Sequence, residues 1–455
     1  MRFKIKKGNI ISLLFLVVVI ALICFIYFSP HFEREKPNIE VPNMTYYNLK
    51  WDIPIKLSDP SGIRSYKVIF IKDDEEKILL DKKVSKQKEV IFNLPLPKIN
   101  LSDCQNLKYK IIANDGSKNR FFMGNTATKD FELIIDNKLP KVRIVAMSNT
   151  ISKGGSAMVV FYASDEAISD ISISNGEQSF VAFPFYKENY YIGIIPWFIK
   201  NPKFSGSIIV RDKAGNVRRS NVNFTRYSRN FRTSNLTLRS SFIDGKIAEL
   251  IQNENEVKLD SFKTPIDMFK YVNETMRHKD ENKISNKILN LENDMNKDFA
   301  TFNPLDKATI VGLWGDYRRF NYNKEFAGDS YHLGVDLAKI KNSPIVASND
   351  GVVVMSEELG VYGNTIIIEH GYGIATLYSH LSESYKNEGD IVKKDEIIGK
   401  SGSSGLAFGD HLHFGVLVQG KPTISNEWMD SKWLKANIND VIANAIKAIE
   451  EDNEN

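Results

Sequence analysis

Cysteine is nearly missing: Cys24 and Cys104 are the only two in 455 residues, and Cys24 lies inside an apolar run. Cys104 therefore has no partner outside that run, which excludes a disulfide framework and a zinc site built on cysteine. Histidine is scarce too, with seven residues in all. Neither sign of charge dominates: the net +4 comes from basic residues scattered among acidic ones, so no nucleic-acid surface is marked. Several catalytic signatures are also absent. No pair of histidines flanks a glutamate in the zincin pattern. Gly399-Lys400-Ser401 lacks the glycine that a phosphate loop needs, because position 394 is Lys394. Ser403-Ser404 lies in a glycine-rich loop without a nucleophile elbow.

One long apolar run is present. Ile10 to Phe28 is interrupted only by Ser12 and Cys24, and Arg2, Lys4, Lys6 and Lys7 precede it. A membrane core about 30 Å thick needs roughly 20 apolar residues as helix, so this run is long enough to span. The basic residues before it predict an inward N-terminus, with everything after Ser29 outside the cytoplasm. A cleaved signal peptide expects a shorter stretch and a small-residue site, which Ser29-Pro30-His31-Phe32 does not supply. The expectation is a basic cytoplasmic tail (residues 1–8) and a single-pass anchor (9–28) in the inner (cytoplasmic) membrane. The remainder then lies in the periplasm or cell-wall space.

The length points to about three domains. The pattern after the anchor is mainly β. Alternating runs such as Ser65–Ile71 and Tyr190–Ile195 are punctuated by Asp, Asn, Gly and Pro. A weak repeat sets Asp59-Pro-Ser-Gly-Ile63 and Ala113-Asn-Asp-Gly-Ser-Lys-Asn119 against Ser164-Asp-Glu-Ala-Ile168 and Val210-Arg-Asp-Lys-Ala-Gly-Asn216, with Asp136–Pro140 as the joint. Two tandem β-sandwich modules, residues 40–137 and 138–228, fit this spacing and loosely resemble bacterial immunoglobulin-like domains. Residues 236–300 read as a small helical connector, since Thr264-Pro265 with Asp267 is a good helix start. Phe269, Val272 and Met276, then Ile284, Ile288, Leu291 and Met295, follow at helical spacing. Strands return over 304–435. A tail, 436–455, places Val441, Ile442, Ala445, Ile446 and Ile449 on one face of an amphipathic helix.

Four of the seven histidines fall in three short motifs of this last strand-rich part: His332-Leu-Gly-Val-Asp336, Tyr378-Ser-His380-Leu381 and His411-Leu-His413. Positions i and i+2 of a strand share a face, so His411 and His413 can reach one site. Gly334 argues that His332 and Asp336 lie on a loop entering a strand. Imidazole and carboxylate suit zinc, and a catalytic zinc needs three protein ligands with one open position. His370, in Glu369-His-Gly371, lies outside these motifs and reads as a turn or core residue; His278, between Arg277 and Lys279, reads as a solvated one.

The stretch from about Gly312 to Leu434 resembles the lysostaphin-type (LytM-type) peptidoglycan metallopeptidases. Gly360-Val-Tyr-Gly-Asn364, Gly405-Leu-Ala-Phe-Gly-Asp410 and Glu427-Trp-Met-Asp430 support the likeness. The resemblance implies an antiparallel β peptidase domain in which His332, Asp336 and His413 bind zinc and His380 and His411 are the catalytic imidazoles. It implies a zinc metalloendopeptidase that hydrolyses peptidoglycan stem-peptide cross-links, with zinc-activated water and histidine handling the protons. The alternatives are a non-catalytic wall-binding or amidase-activating relative, and a carboxypeptidase releasing D-Ala.

Overall fold

A computed structural model describes residues 7–101, 106–288 and 298–452. Arg2, Lys4 and Lys6 of the basic tail, Cys104, Leu291 and Met295 lie outside the described residues. The chain is mostly β and divides into two compact units. One is Met1–Leu139 with Glu166–Ser169 and Arg211–Val217; the other is Pro140–Asp165, Asp170–Val210 and Arg218–Asn455.

In the first unit the helix Lys7–Phe28 contains an 18-residue window, Ile11–Phe28, of mean hydropathy 3.1 and with none of it buried. A helix apolar all round and left unburied by the rest of the fold is one whose surface lipid can cover. The β part of this unit is a single six-stranded sheet, in the order Asn38–Glu40, Pro54–Lys72, Asn106–Asp115, Thr126–Ile135, Tyr46–Tyr47, with Glu75–Asn93 also paired to Pro54–Lys72. Hydrogen bonds join all six strands, and Pro54–Lys72 changes neighbour along its length, pairing with Asn38–Glu40 at residues 56–58 and with Asn106–Asp115 at residues 63–71. Alternation decides what is inside: Ile55, Leu57, Leu107, Tyr109 and Ile111 are buried, while their neighbours along each strand are not.

The strands that follow form two four-stranded sheets. One orders Phe183–Phe185, Lys187–Pro196, Ser156–Ser164 and Lys141–Met147; the other orders Ser179–Val181, Ile168–Ser174, Ser207–Asp212 and Val217–Asn221. The two sheets pack closely, because a Cβ at Gly193 of the first would strike Ile173 of the second. Ser156–Ser164 is buried almost throughout. Its outer side is closed by the C-terminal helix Asp440–Glu451, which buries Val441, Ile442, Ala445 and Ile449 in the same core.

The C-terminal part is built on an eight-stranded sheet: β1 (Thr309–Gly312), β2 (Val335–Ala338), β3 (Gly351–Leu359), β4 (Gly363–Gly371), β5 (Ile374–Leu381), β6 (Ile391–Val392), β7 (Leu412–Val418) and β8 (Lys421–Thr423). Their order is β1-β2-β7-β5-β4-β3-β6, with β8 on β7. The central strands are buried on both faces, each by a different partner. Tyr378, Phe414, Val416 and Val418 join the core that contains Trp428 and the C-terminal helix. Ala375, Leu377 and Leu417 join a second core with Ile247, Phe269, Val272 and Ile284 of the helical segments.

The later of these helical segments begins where the sequence marks a start. The Thr264 hydroxyl accepts from the Asp267 amide and the Asp267 carboxylate accepts from the Thr264 amide, with Pro265 at the first turn. Helical structure then runs through Arg277–Ile288.

Candidate metal centre

Three adjacent strands place the candidate residues. In the β2–β7 register Asp336 stands directly opposite His413, and in the β5–β7 register Ser379 does. Directly opposed residues of an antiparallel pair share a face, so Asp336 and His413 project together. His332 lies in the short link between the strand Glu325–Tyr331 and β2, as the loop reading expects.

Convergence is tight. His332 Nε2 lies 2.9 Å from Asp336 Oδ1 and 3.0 Å from His413 Nδ1, and His413 Nδ1 lies 3.0 Å from Asp336 Oδ1. All three residues are at least nine-tenths buried. Two glycines make the approach possible: a Cβ at Gly334 would stand 2.5 Å from the His413 ring, and one at Gly312 would strike the Asp336 carboxylate.

The donor set fits a divalent cation. His332 Nδ1 sits 2.8 Å from the Leu313 carbonyl and donates to it, so a neutral His332 presents only a lone pair at Nε2. Burial pushes His413 down to about 4, which keeps it neutral near pH 7. A lone pair of His332 therefore faces a carboxylate oxygen at 2.9 Å, two acceptors that a cation can reconcile. Burial raises the Asp336 carboxyl, but the two imidazoles set against it outweigh that and hold it well below the usual carboxylate range. The free oxygen, Asp336 Oδ2, accepts from Arg318 at 3.2 Å. Arg318 also reaches Asp316, whose two oxygens accept from the Ser234 hydroxyl.

His380 and His411 flank this group. Strict alternation along β5 would put His380 on the face of Tyr378, against Phe414. Instead the β4–β5 register shifts between Asn364 and Ile366, and His380 takes a left-handed φ of 63°. Such a bulge re-aims a side chain at local cost, and here it turns the ring toward the site. The His380 ring centre lies 4.9 Å from that of His411 and 5.7 Å from that of His413. His380 Nδ1 donates to the Ser404 carbonyl and His411 Nδ1 to the Gly409 carbonyl, both at 2.8 Å, leaving each Nε2 for the site. His411 Nε2 lies 3.6 Å from Asp336 Oδ1. Burial, with the neighbouring His413 and His411, holds His380 well below the usual imidazole range.

The five residues line a cleft of about 910 Å³. Its other walls come from the strand Thr233–Thr237, the helical turn Ser240–Phe242 and the loop before His411, where Phe242 stacks on Phe408 with ring centres 4.3 Å apart. His370 is elsewhere, fully buried, donating from Nδ1 to the Asp350 carbonyl and accepting at Nε2 from Thr376. His278 is exposed. Sequence reasoning missed Arg318 and Tyr362, whose buried ring lies 5.9 Å from that of His413. Arg318 carries no local signal, since it reaches the site through strand pairings distant in the chain, and Tyr362 stands in the Gly360–Asn364 stretch with no role assigned to it there.

Residues 330–424 match peptidase family M23. DD-carboxypeptidase/endopeptidase Mpg of Neisseria meningitidis is 42% identical over 91 residues, 20% of this chain and 21% of that protein. Peptidoglycan DD-endopeptidase ShyA of Vibrio cholerae is 40% identical over 91 residues, again 20% and 21%. The match spans about a fifth of the length of these relatives. A solved M23 peptidase of Pseudomonas aeruginosa aligns with 62% of this chain and 96% of its own, at 16% identity and a TM-score of 0.37. The motif histidines and Asp336 all fall inside the matched segment, and the chain carries a peptidase family M23 domain.

Proposed function

We propose that this protein is a zinc-dependent peptidase that hydrolyses peptide cross-links of peptidoglycan from the outer face of the cytoplasmic membrane. The convergence of His332 Nε2, Asp336 Oδ1 and His413 Nδ1 within 3.0 Å carries the reading. Relatives named as peptidoglycan DD-endopeptidases support the substrate class, and the apolar helix Lys7–Phe28 supports the anchorage. In this reading His332, Asp336 and His413 hold the zinc, which acidifies water and polarises the scissile carbonyl.

The chain's own groups do the rest. Asp336, fixed through its second oxygen by Arg318, offers one oxygen inward. His380 and His411 each present Nε2 beside the ligand atoms, their tautomers set by backbone carbonyls. They take the proton from the attacking water, hand one to the departing amine and hydrogen-bond the tetrahedral oxygen. The cleft of about 910 Å³ leaves room beside these rings for a stretch of peptide.

Purified cross-linked wall fragments incubated with the full chain, with products weighed by mass spectrometry, test this. Cross-linked dimers are expected to give monomers, and Asp336→Ala to abolish it. Release of D-Ala alone would assign the carboxypeptidase activity in the name of the Neisseria relative. Unchanged cleavage by Asp336→Ala would end the zinc assignment.

A further inference from the structure

A second group of ligand-bearing side chains lies in the first unit, away from the M23 domain. Glu33 follows the apolar helix by five residues, Asp59 sits on the strand Pro54–Lys72 and Asp115 ends the strand Asn106–Asp115. One carboxylate oxygen from each lies within 4.8 Å of the other two. Asp59 is 4% exposed and Asp115 is fully buried.

The hydrogen bonds around them are incomplete in one place. Asp115 accepts from the amides of Ser117 and Asn125 and from the Asn125 side chain, which also donates to Glu33 Oε1. Asp59 Oδ1 accepts from the Ser61 amide, but Asp59 Oδ2 is enclosed and accepts from nothing. Among the described residues no lysine, arginine or histidine forms an ion pair with any of the three. An enclosed carboxylate oxygen without a partner is costly, and neighbouring carboxylates add repulsion. Burial, with the charges of Asp59 and Asp115, pushes Glu33 up to about 7.

A hard cation would remove both costs. All the donors are oxygens, which suits calcium and not zinc. Oxygens bound to one calcium at about 2.4 Å can stand up to about 4.8 Å apart, and the three oxygens here all lie within 4.8 Å of one another. We propose that Glu33, Asp59 and Asp115 form a calcium site that locks the segment leaving the apolar helix onto the first β module. The backbone is already gathered there: the Ser117 hydroxyl and the Asn125 side chain donate to the Glu33 carbonyl, and the Lys118 amide donates to the His31 carbonyl. The ion would turn this hydrogen-bonded seam into a stiff joint.

The test uses the full chain in detergent micelles, loaded with zinc and freed of calcium, then titrated with calcium chloride in equilibrium dialysis. Binding is expected with Kd of about 10⁻³ M or tighter, the range of extracellular modules. Glu33→Gln and Asp59→Asn should each bind one equivalent fewer. Calcium at ten times Kd should slow tryptic cutting after Arg34 about tenfold in the wild type and not in Glu33→Gln. Glu33 lies outside the β module, so Glu33→Gln decides the matter even if Asp59→Asn misfolds. Absence of binding at about 5 mM calcium, above that range, would overturn the proposal. Full stoichiometry in Glu33→Gln would do the same.

Discussion

Asp336 and His413 face each other across β2 and β7 with Oδ1 and Nδ1 3.0 Å apart, and Gly334 leaves the room that His413 needs. Alanine at 334 would place its Cβ 2.5 Å from the His413 ring and 2.9 Å from the Phe414 carbonyl, which is backbone and cannot swing away. Gly334→Ala is therefore expected to displace His413 and weaken zinc binding by at least about tenfold. Competition with a chromophoric chelator measures it. Unchanged affinity would show that the ring can sit elsewhere.

Arg318 holds the oxygen of Asp336 that faces away from the imidazoles. Groups that orient a metal ligand are typically worth about 10–100-fold in metal affinity. Arg318→Gln should lower zinc affinity by about that factor while leaving His380 and His411 in place. Isothermal titration with zinc on the metal-free chain reads this directly.

His380 and His411 are assigned to proton transfer and not to the metal. Replacing either by alanine should slow cross-link cleavage by about 10²–10⁴-fold with zinc content unchanged. Loss of zinc in either variant would instead make that residue a ligand.

His370 supplies a pH signature separate from the site. It is fully buried, and burial pushes it down to about 4 from an ordinary 6.5. The unfolded chain binds its proton more readily, so the stability this neutral ring contributes is present above 6.5 and is lost as pH falls toward 4. At pH 5 the loss amounts to about 2 kcal/mol. Urea unfolding of the wild type should therefore weaken between pH 6.5 and 4 by more than that of His370→Gln, which cannot take up the proton. Parallel curves would refute the assignment.

Rare chemistry made the site readable. Four of seven histidines stand in three motifs, and the i, i+2 spacing of His411 and His413 needs only strand alternation to bring them to one place. The helix start at Thr264 was legible for the same reason, because hydroxyl, proline and acid each have a local role there. What required coordinates is non-local. The bulge that turns His380 inward depends on a register shift against β4, and alternation alone would have faced it to the core. Arg318 reaches Asp336 from a strand, Tyr317–Tyr322, that pairs with Thr233–Thr237 some eighty residues earlier. The union of all six early strands in one sheet is likewise a matter of pairing, which periodicity does not specify.

Zinc K-edge absorption spectroscopy on the full chain purified without chelators is the most direct check. One zinc per chain should appear with two imidazole nitrogens at about 2.0–2.1 Å and carboxylate or water oxygens at similar distance, and Asp336→Ala should lose it. A chain that cleaves cross-linked wall fragments while holding no zinc, or holding it with fewer than two imidazoles, would contradict the assignment of His332, Asp336 and His413.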